Sequence, residues 1–487
     1  MTFWLGFLLG AYLLLMTGLG LYAGSRVQNE EDYLVAGRRL PLWLAWGTLL
    51  ATWFGAATVL GSSEAARAEG VRGTILDPFA SGLALIVAGL FFARRIWEMK
   101  LLTVGDLFAR SYGRKTELIS SIVQALGYLP WIAAQYLALA AVLRHFSGVD
   151  QTTAIFGAAL FVMFLTMSGG MWSVTLTDTV QIVAVLASLV LLSVRFTTAI
   201  GHGSIAEGIG ETWRQTPPEL RTLLPQAGVV ALLGWSTTWL NGVLGNIPGQ
   251  DLMQRVLASR SGTVASRACI LAGCVYIAFG LLPVGLGLAS RQLWPEELPR
   301  GSDGHVMLAM AEAFLSPFAI SLLVVTLLAI VVSTCTSAML SPAALLSHNL
   351  LNRLRWFNGR KLLTNRLSVA LVAAMSLPLA MATDEILELL ESALAVGLVA
   401  LLIPFVAGVY LRPRGELPGL LSIGCGSGLW IVHQLAVYFF AAETASPGPL
   451  ADALTAIPPE LTGLVASAAG YVLGQFFSRE LAPPSTS

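Results

Sequence analysis

Neutral oxygen atoms at two places in the chain have the types and spacing of ligands for a small hard cation. Ser333 and Thr334 are adjacent in an apolar segment, and the carbonyl of Ile330 lies one helical turn before them. In another apolar segment, small residues surround Ala51 and Phe54, and this composition favours a helix that opens and leaves carbonyls in need of a partner. These oxygens predict a Na⁺ site. Helix packing through small side chains, and hydroxyl bonds back to the same helix, are the alternatives.

An acidic residue at the start of an apolar segment is a second feature. Asp178 follows Ser168-Gly169-Gly170-Met171-Trp172, the short stretch between two predicted spans. A carboxylate inside a membrane costs free energy, so it is a functional candidate, here for the path of an ion. Capping of a helix N-terminus is the alternative, and the two roles are compatible.

An apolar segment interrupted by helix breakers is a third feature. It ends in Gly245-Asn246-Ile247-Pro248-Gly249-Gln250, and Trp235 precedes the interruption. Glycine and proline inside a span are the best sequence indicator of a transporter's binding site. Trp53 lies one residue before the Phe54 carbonyl, so its indole is placed to border a solute beside the ion. Aromatic faces attract ammonium groups, although tryptophan also serves as bulk in membrane interiors.

The elements that position these residues are predicted to be membrane-spanning helices. Of 487 residues, 56% are hydrophobic and 11% are charged, against about 25% charged in a soluble domain. Windows of about 20 apolar residues predict thirteen spans. They are 3–24, 41–63, 75–95, 118–143, 152–170, 177–200, 227–247, 267–290, 317–346, 366–383, 387–411, 417–440 and 459–478. The four cysteines form no CxxC pair, and no nucleotide-binding, nucleophile or metal motif occurs.

The distribution of basic residues predicts the orientation. Most of the 28 Lys and Arg residues fall in alternate loops, which an outside N-terminus would place in the cytoplasm. Arg255 belongs to this set, on the expectation that it follows the seventh span. We therefore expect a multi-pass protein of the cell membrane with its N-terminus outside and its C-terminus in the cytoplasm.

Four motifs, in this order, resemble the sodium:solute symporter family. They are Ala36-Gly37-Arg38-Arg39, Gly170-Met171 with Thr177-Asp178 and Gln181, Gln254-Arg255, and Ser333-Thr334. The resemblance implies an all-α integral membrane protein with a LeuT-type core of two inverted five-helix repeats. It also implies a bound Na⁺, held by oxygens of the residues argued for above, and a role for Asp178 in sodium release. The sodium ligands would be Ala51, Phe54, Ile330, Ser333 and Thr334.

The same resemblance divides the chain into four parts. Residues 1–40 form an extra helix with the first cytoplasmic loop, and residues 41–200 form the first five-helix repeat. Residues 201–411 form the second repeat with its connecting loop. Residues 412–487 form two extra helices and a short tail.

Within the family, the sequence looks most like the high-affinity choline transporter branch, through Ala51-Thr52-Trp53-x-Gly55 and Gly89-Leu90-Phe91-Phe92-Ala93. Choline transporters are similar in placing tryptophans at Trp53 and Trp131. Two further aromatic positions of that branch correspond to Ser81 and Gly249 here. Proline transporters of the family carry Asp at the position of Trp53, which weakens a proline interpretation.

We expect a secondary active transporter, not an enzyme, that couples inward Na⁺ flow to the import of a small organic solute. A quaternary amine or a zwitterion is the first candidate, bordered by Trp53, Trp131, Trp235, Ser81 and Gly249. A carboxylate, an amino acid or another neutral solute is the alternative. A solute sensor with the same fold and a passive sodium channel are further alternatives. The expected partners are the solute, the sodium ion and the lipid bilayer, with no nucleic acid.

Overall fold

The computed structural model describes residues 2–225, 227–299, 305–357, 359–382, 394–443 and 455–478. Within these ranges the secondary structure is helical, apart from one isolated bridge between Leu40 and Ser259. Eight of the described helical stretches are long and apolar enough to cross a membrane. Helix occurs in each of the thirteen predicted spans. Residues 383–393, where the tenth and eleventh predicted spans meet, lie outside the described ranges.

The described helices have the following bounds. The α-helices are Thr2–Gly24, Glu30–Val35, Leu42–Trp53, Ser62–Glu69, Ser81–Val87, Ala93–Glu98, Val104–Ser111, Arg114–Ser147, Gln151–Ile200, Ile205–Gln215, Val229–Leu240, Gln250–Ala258, Gly262–Leu293, Val306–Phe314, Pro317–Leu345, Lys361–Ala382, Leu402–Tyr410, Leu417–Glu443 and Pro459–Phe477. Wider π-helical turns occur at Ala57–Gly61, Ile75–Ala80, Ala88–Phe92, Asn241–Gly245, Leu346–Leu350 and Gly397–Leu401.

Helix Pro317–Leu345 lies at the centre of the bundle. It packs against Leu42–Trp53, Arg114–Ser147 and Gln151–Ile200, and nearly all of its side chains after Ile320 are buried. A helix that is apolar on all sides is typical of such an interior position. The hydroxyl-bearing residues of this helix are therefore shielded from lipid.

Helix Leu42–Trp53 ends inside the bundle, at the place where the sequence predicted an opening. Phe54 has φ −73° and ψ 73°, outside the helical region, and helix resumes at Ala57–Gly61. The Gly55 amide donates to the Trp53 carbonyl at 2.8 Å, so the 3.6-residue pattern is lost at this point. We call the residues Phe54 to Ala56 the first break.

The interruption predicted before Gln250 is also present. After Asn241–Gly245 the backbone turns, Gly249 adopts an extended conformation (φ −60°, ψ 129°), and a new helix runs from Gln250 to Ala258. We call residues 246–249 the second break. The expectation that Arg255 lies in a cytoplasmic loop is wrong, because the helix continues beyond the break and buries Arg255 completely.

The helical stretch Gln151–Ile200 is too long for one crossing. At 1.5 Å per residue its 50 residues would extend about 75 Å, against a hydrocarbon core of about 30 Å. Gly170 adopts φ 52° and ψ −133°, and Leu165 and Ser173, on either side of it, both approach Gly20. The chain therefore doubles back at Gly170, as the predicted hairpin requires.

Candidate functional site

The oxygens predicted to bind a cation meet at the first break. Ser333 Oγ lies 3.2 Å from the Ala51 carbonyl oxygen. A Cβ atom on Gly55 would come within 2.8 Å of Thr334 Oγ1, so the hydroxyl of Thr334 faces the break directly. Thr334 is 1% exposed, and its hydroxyl has no hydrogen-bond partner among the described residues. A buried hydroxyl without a partner is costly and points to a ligand.

The other two predicted ligands belong to the same region. Phe54 is the residue whose dihedral angles leave the helix, and Ile330 precedes Thr334 by one turn on the central helix. Both are buried. The structure thus brings Ala51, Ser333 and Thr334 together from two helices, and Phe54 and Ile330 are near neighbours of these residues along the chain.

Asp178 is part of the same polar cluster, and it does not cap a helix. It is fully buried, eight residues after the reversal at Gly170, and its carboxylate accepts hydrogen bonds from Thr48 Oγ1 and Ser333 Oγ, each at 2.6 Å. The capping alternative is therefore wrong. Ser333 is in contact with both the Asp178 carboxylate and the Ala51 carbonyl, so Asp178 borders the predicted ion site.

A buried arginine connects this cluster to the second break. Arg255 Nη2 lies 3.9 Å from Asp178 Oδ2 and donates to Ser337 Oγ at 2.5 Å. Thr52 Oγ1 lies 3.1 Å from the same Ser337 hydroxyl. Ion pairs of this kind are retained in a membrane interior when both charges have a partner. The two interrupted helices are linked through these side chains.

The residues proposed to border a solute line a single cavity of about 1280 Å³. Trp53, Trp131, Trp235, Ser81 and Gly249 all lie on its wall. Both breaks open into it, because Trp53 and Gly249 are the residues at their edges. The structure therefore places the predicted solute-binding residues beside the predicted ion ligands.

The tryptophans differ in how they are held. Trp53 Nε1 donates to Asp251 Oδ2 at 2.6 Å, which fixes its indole against the second break. Trp131 stacks with Tyr128, with ring centroids 5.8 Å apart. Trp235 Nε1 donates to the Leu223 carbonyl at 2.8 Å, outside the helix that carries it. All three line the cavity.

Two carboxylates in this cavity were not identified from the sequence. Asp251 accepts hydrogen bonds from Trp53 and from the Tyr128 hydroxyl, the latter at 2.5 Å. Asp77 lies beside the hydroxyls of Thr58 and Tyr276, and Tyr276 also contacts the Trp53 carbonyl. The signal that identified Asp178, an acidic residue inside an apolar segment, also applies to Asp77, because Asp77 falls within the third predicted span. Asp251 directly follows the predicted interruption.

The cavity reaches the surface near Ala68 and Glu69. Ala68 and Glu69 are exposed and belong to its wall, with Glu64 and Arg72 nearby. Helix Gln250–Ala258 begins at the cavity wall, where Gly249 and Asp251 lie, and all of its residues are buried. The helix and the residue after it are tied to neighbouring segments by hydrogen bonds from Gln254 Nε2 to the Leu34 carbonyl, from the Leu40 amide to the Ala258 carbonyl and from Trp97 Nε1 to the Ser259 carbonyl.

Ion pairs join the segments packed around helix Gln250–Ala258. We call this part of the protein the closed face. Glu30 is paired with His348 at 2.9 Å and with Lys361 at 2.7 Å. Burial raises the pKa of Glu30, but these two partners outweigh burial and hold the pKa below its ordinary value. Asp106 behaves in the same way, since His348 and the amides of the preceding turn offset its burial and lower its pKa.

The family profile of the sodium:solute symporters, matched against the whole sequence, aligns with residues 33–421. This chain belongs to the sodium:solute symporter family. The high affinity choline transporter 1 of Homo sapiens is 30% identical to this family member over 341 residues. That alignment covers 67% of this chain and 57% of the human protein, so the chain spans little more than half the length of that relative. The sodium/proline symporter of Salmonella typhimurium is 23% identical, with 70% of this chain and 68% of the relative covered.

Solved structures establish the fold of this symporter-family chain. A Na⁺-coupled sialic acid symporter, in a substrate-bound outward-open state, superimposes with a TM-score of 0.75 and 20% identity over 99% of both chains. A nucleobase-cation-symport-1 family transporter superimposes with a TM-score of 0.58 and 17% identity, covering 92% of this chain and 94% of the other. The predicted all-α, LeuT-type membrane architecture is confirmed, and the chain is a transporter-family protein rather than an enzyme.

Proposed function

We propose that this chain is a secondary active transporter that couples the inward movement of Na⁺ to the import of a small organic solute. The observation that carries the proposal is the buried, unpartnered hydroxyl of Thr334, which faces the first break at the wall of the cavity. An ion site and a solute cavity that share one helix opening can be coupled directly. Occupation of either one stabilises the same backbone conformation, and this is the thermodynamic basis of coupling.

Na⁺ would be held by the carbonyl oxygens of Ala51, Phe54 and Ile330 and by the hydroxyl oxygens of Ser333 and Thr334. The donor set is uncharged, which suits a monovalent cation. The Ser333 hydroxyl has one proton, which the Asp178 carboxylate accepts at 2.6 Å, so its lone pairs are available to a cation beside the Ala51 carbonyl. Asp178, in contact with Ser333, would receive the ion on its way out of the site, in keeping with the family resemblance.

The solute would lie between the indole faces of Trp53 and Trp131, with Trp235 nearer the opening of the cavity. A cationic or zwitterionic amine fits these faces best, because each desolvated cation–π contact contributes about 2 kcal/mol. Ser81 and Gly249 replace aromatic residues of the choline transporter branch, so the aromatic enclosure is less complete here. A carboxylate or a neutral solute is the alternative.

The distribution of Lys and Arg supports an orientation with the N-terminus outside and the C-terminus in the cytoplasm. In that orientation the cavity opens to the outside, and helix Gln250–Ala258 closes the cytoplasmic side. The two five-helix repeats, residues 41–200 and 201–411, would move relative to one another around the two breaks.

Uptake by reconstituted protein tests the proposal. Proteoliposomes carrying the full chain are given an inward Na⁺ gradient, and accumulation of labelled amines, amino acids, sugars and carboxylates is measured. We expect uphill accumulation of one class, abolished when Na⁺ is replaced by K⁺ or when the gradient is collapsed. Sodium flux without accumulation of any solute would instead indicate a channel and would overturn the symporter proposal.

A further inference from the structure

Resting on the proposed symporter function, we propose that Asp77, Thr58 and Tyr276 form the subsite for the charged group of the solute. The ligand class is a protonated amine that carries at least one N–H bond. Asp77 and Tyr276 line the cavity, and the subsite lies at the Trp53 carbonyl, whereas Asp251 binds the Trp53 indole nitrogen.

The geometry brings four oxygen-bearing groups to one point. Tyr276 Oη lies 2.9 Å from Asp77 Oδ2, 2.6 Å from Thr58 Oγ1 and 2.9 Å from the Trp53 carbonyl oxygen. Thr58 Oγ1 lies 3.0 Å from Asp77 Oδ2. The three side chains come from three different helical segments, and they meet at the carbonyl that precedes the first break.

This cluster has more acceptors than donors. The hydroxyls of Thr58 and Tyr276 supply one proton each, and the Gly55 amide supplies a third to the Trp53 carbonyl. The carboxylate of Asp77 has about four acceptor positions and the carbonyl has two, to which the hydroxyl lone pairs are added. Acceptor positions are therefore left over, and a ligand that brings N–H donors would satisfy them.

The charge of the cluster leads to the same class of ligand. Among the described residues, no Lys, Arg or His forms an ion pair with Asp77. Asp178 differs in this respect, since Arg255 lies beside it. A carboxylate inside a membrane protein without a basic partner favours a cation from outside the chain. The cavity supplies the route, because Asp77 and the exposed Glu69 both line it.

An N–H-bearing amine fits this wall better than a quaternary one. A quaternary ammonium group has no hydrogen to donate and binds best when aromatic faces surround it. Here the neighbouring residue Ser81 has a hydroxyl that donates to the Leu76 carbonyl, and Gly249 provides no side chain. Hydrogen-bond acceptors thus replace part of the aromatic enclosure, and a site built from acceptors discriminates strongly against ligands that cannot donate.

A matched series of amines tests the subsite. Ethanolamine, N-methylethanolamine, N,N-dimethylethanolamine and choline share one scaffold. Their ammonium groups carry three, two, one and no N–H bonds, respectively. Their binding to the purified full chain is measured by calorimetry in Na⁺ buffer, together with glycine, proline and putrescine. We expect at least one N–H-bearing amine to bind at millimolar concentration or below. Within the series, we expect choline to bind more weakly than its dimethyl analogue by about tenfold or more.

Variants test whether the residues of the subsite cause the preference for amines with N–H bonds. Asp77→Asn keeps the shape but removes the charge, and we expect it to weaken the N–H-bearing amines at least tenfold and choline by a smaller factor, because choline loses the charge attraction but no hydrogen bond. Tyr276→Phe and Thr58→Val leave the carboxylate in place and should weaken the same amines less. Asp150→Asn is the matched control, because Asp150 is an exposed helix N-cap whose role asparagine can fill. If Asp77→Asn does not fold, binding of the same amines to the Tyr276→Phe variant is measured instead.

Three outcomes would overturn the inference. The first is that nothing binds, neither the series from ethanolamine to choline nor glycine, proline and putrescine. The second is that choline binds as tightly as the amines with N–H bonds. The third is that Asp77→Asn weakens Na⁺ binding alone, which would make the cluster a second ion site. Failure of the proposed function would look different, because binding of the amine series would persist while Na⁺ gradients drove no uptake.

Discussion

The two breaks open into the same cavity, but different groups hold their free backbone. At the first break two hydroxyls approach the carbonyls, in addition to the Gly55 amide: Ser333 Oγ lies 3.2 Å from the Ala51 oxygen and Tyr276 Oη lies 2.9 Å from the Trp53 oxygen. At the second break, amide groups do so: Gln124 Nε2 donates to the Pro248 carbonyl at 2.7 Å, and the Gly249 amide donates to the Asn246 carbonyl at 3.1 Å.

This difference supports the proposal that the first break is an ion site and the second a hinge. A hydroxyl has lone pairs as well as a proton, so it can release a carbonyl and bind the same cation that the carbonyl binds. An amide N–H only donates, so the groups that hold the carbonyls of the second break offer no lone pair of their own to a cation. We conclude that glycine and proline mark where a membrane helix opens, whereas the surrounding side chains determine what the opening binds.

The largest expected effect is on the connection between the breaks. Arg255→Met leaves Asp178 buried without its basic neighbour, and we expect a loss of about 3–5 kcal/mol in the free energy of unfolding. Denaturation of the purified protein in detergent measures it. Arg94→Met is the control, because Arg94 forms an exposed pair with Glu98 that contributes below about 1 kcal/mol. Equal stability of both variants would mean that the breaks are not joined through Arg255.

The next effect sharpens the assignment of the ion to the first break. Ser333→Ala and Thr334→Ala each remove one hydroxyl, and each should raise the Na⁺ concentration for half-maximal uptake by about tenfold, the equivalent of about 1.4 kcal/mol. Thr326→Ala should leave it unchanged, since the Thr326 hydroxyl bonds the Leu323 carbonyl of its own helix. The ion lies elsewhere if both ligand variants keep the sodium dependence of the wild type.

A third comparison uses the glycines at the two breaks. A Cβ on Gly55 would meet Thr334 Oγ1 at 2.8 Å, whereas one on Gly249 would meet Asp251 Oδ1 at 2.7 Å. Overpacking of this kind costs about 1–3 kcal/mol. We expect Gly55→Ala to weaken Na⁺ binding and Gly249→Ala to weaken solute binding, with little effect the other way round. Titration of each variant with Na⁺ and with solute distinguishes them, and identical profiles would remove the distinction between the breaks.

The smallest effect concerns the closed face, away from both breaks. The pKa values of Glu30 and Asp106 lie below their ordinary values of about 4, so both groups stabilise the fold at neutral pH. That stability is present above the ordinary pKa and is lost as pH falls through the lower folded values. Melting temperature should therefore decrease on acidification, and less steeply in Glu30→Gln. A change in sodium affinity in this variant would show that the closed face also acts on the first break.

Local features of the chain predicted much of this architecture. Span length and composition determine where the backbone crosses a membrane, since an unsatisfied peptide group in lipid costs too much for any other arrangement. The openings at Phe54 and Gly249 and the reversal at Gly170 were predicted for the same reason, because small residues and breakers act on their own neighbourhood. Ser333 and Thr334 were identified because two adjacent hydroxyls are rare in the middle of an apolar helix.

Other features depend on contacts between residues far apart in the sequence, and only the tertiary structure decided them. Asp77 and Tyr276 are separated by 199 residues, and Trp53 and Asp251 by 198, yet both pairs share a hydrogen bond. Arg255 was predicted to face the cytoplasm, because a basic residue after a span is normally hydrated. It is buried instead, since folding supplies the carboxylate of Asp178 and the hydroxyl of Ser337 in place of water. Composition along the chain thus determined where helices form and open, whereas their packing determined which polar groups replace water inside the bundle.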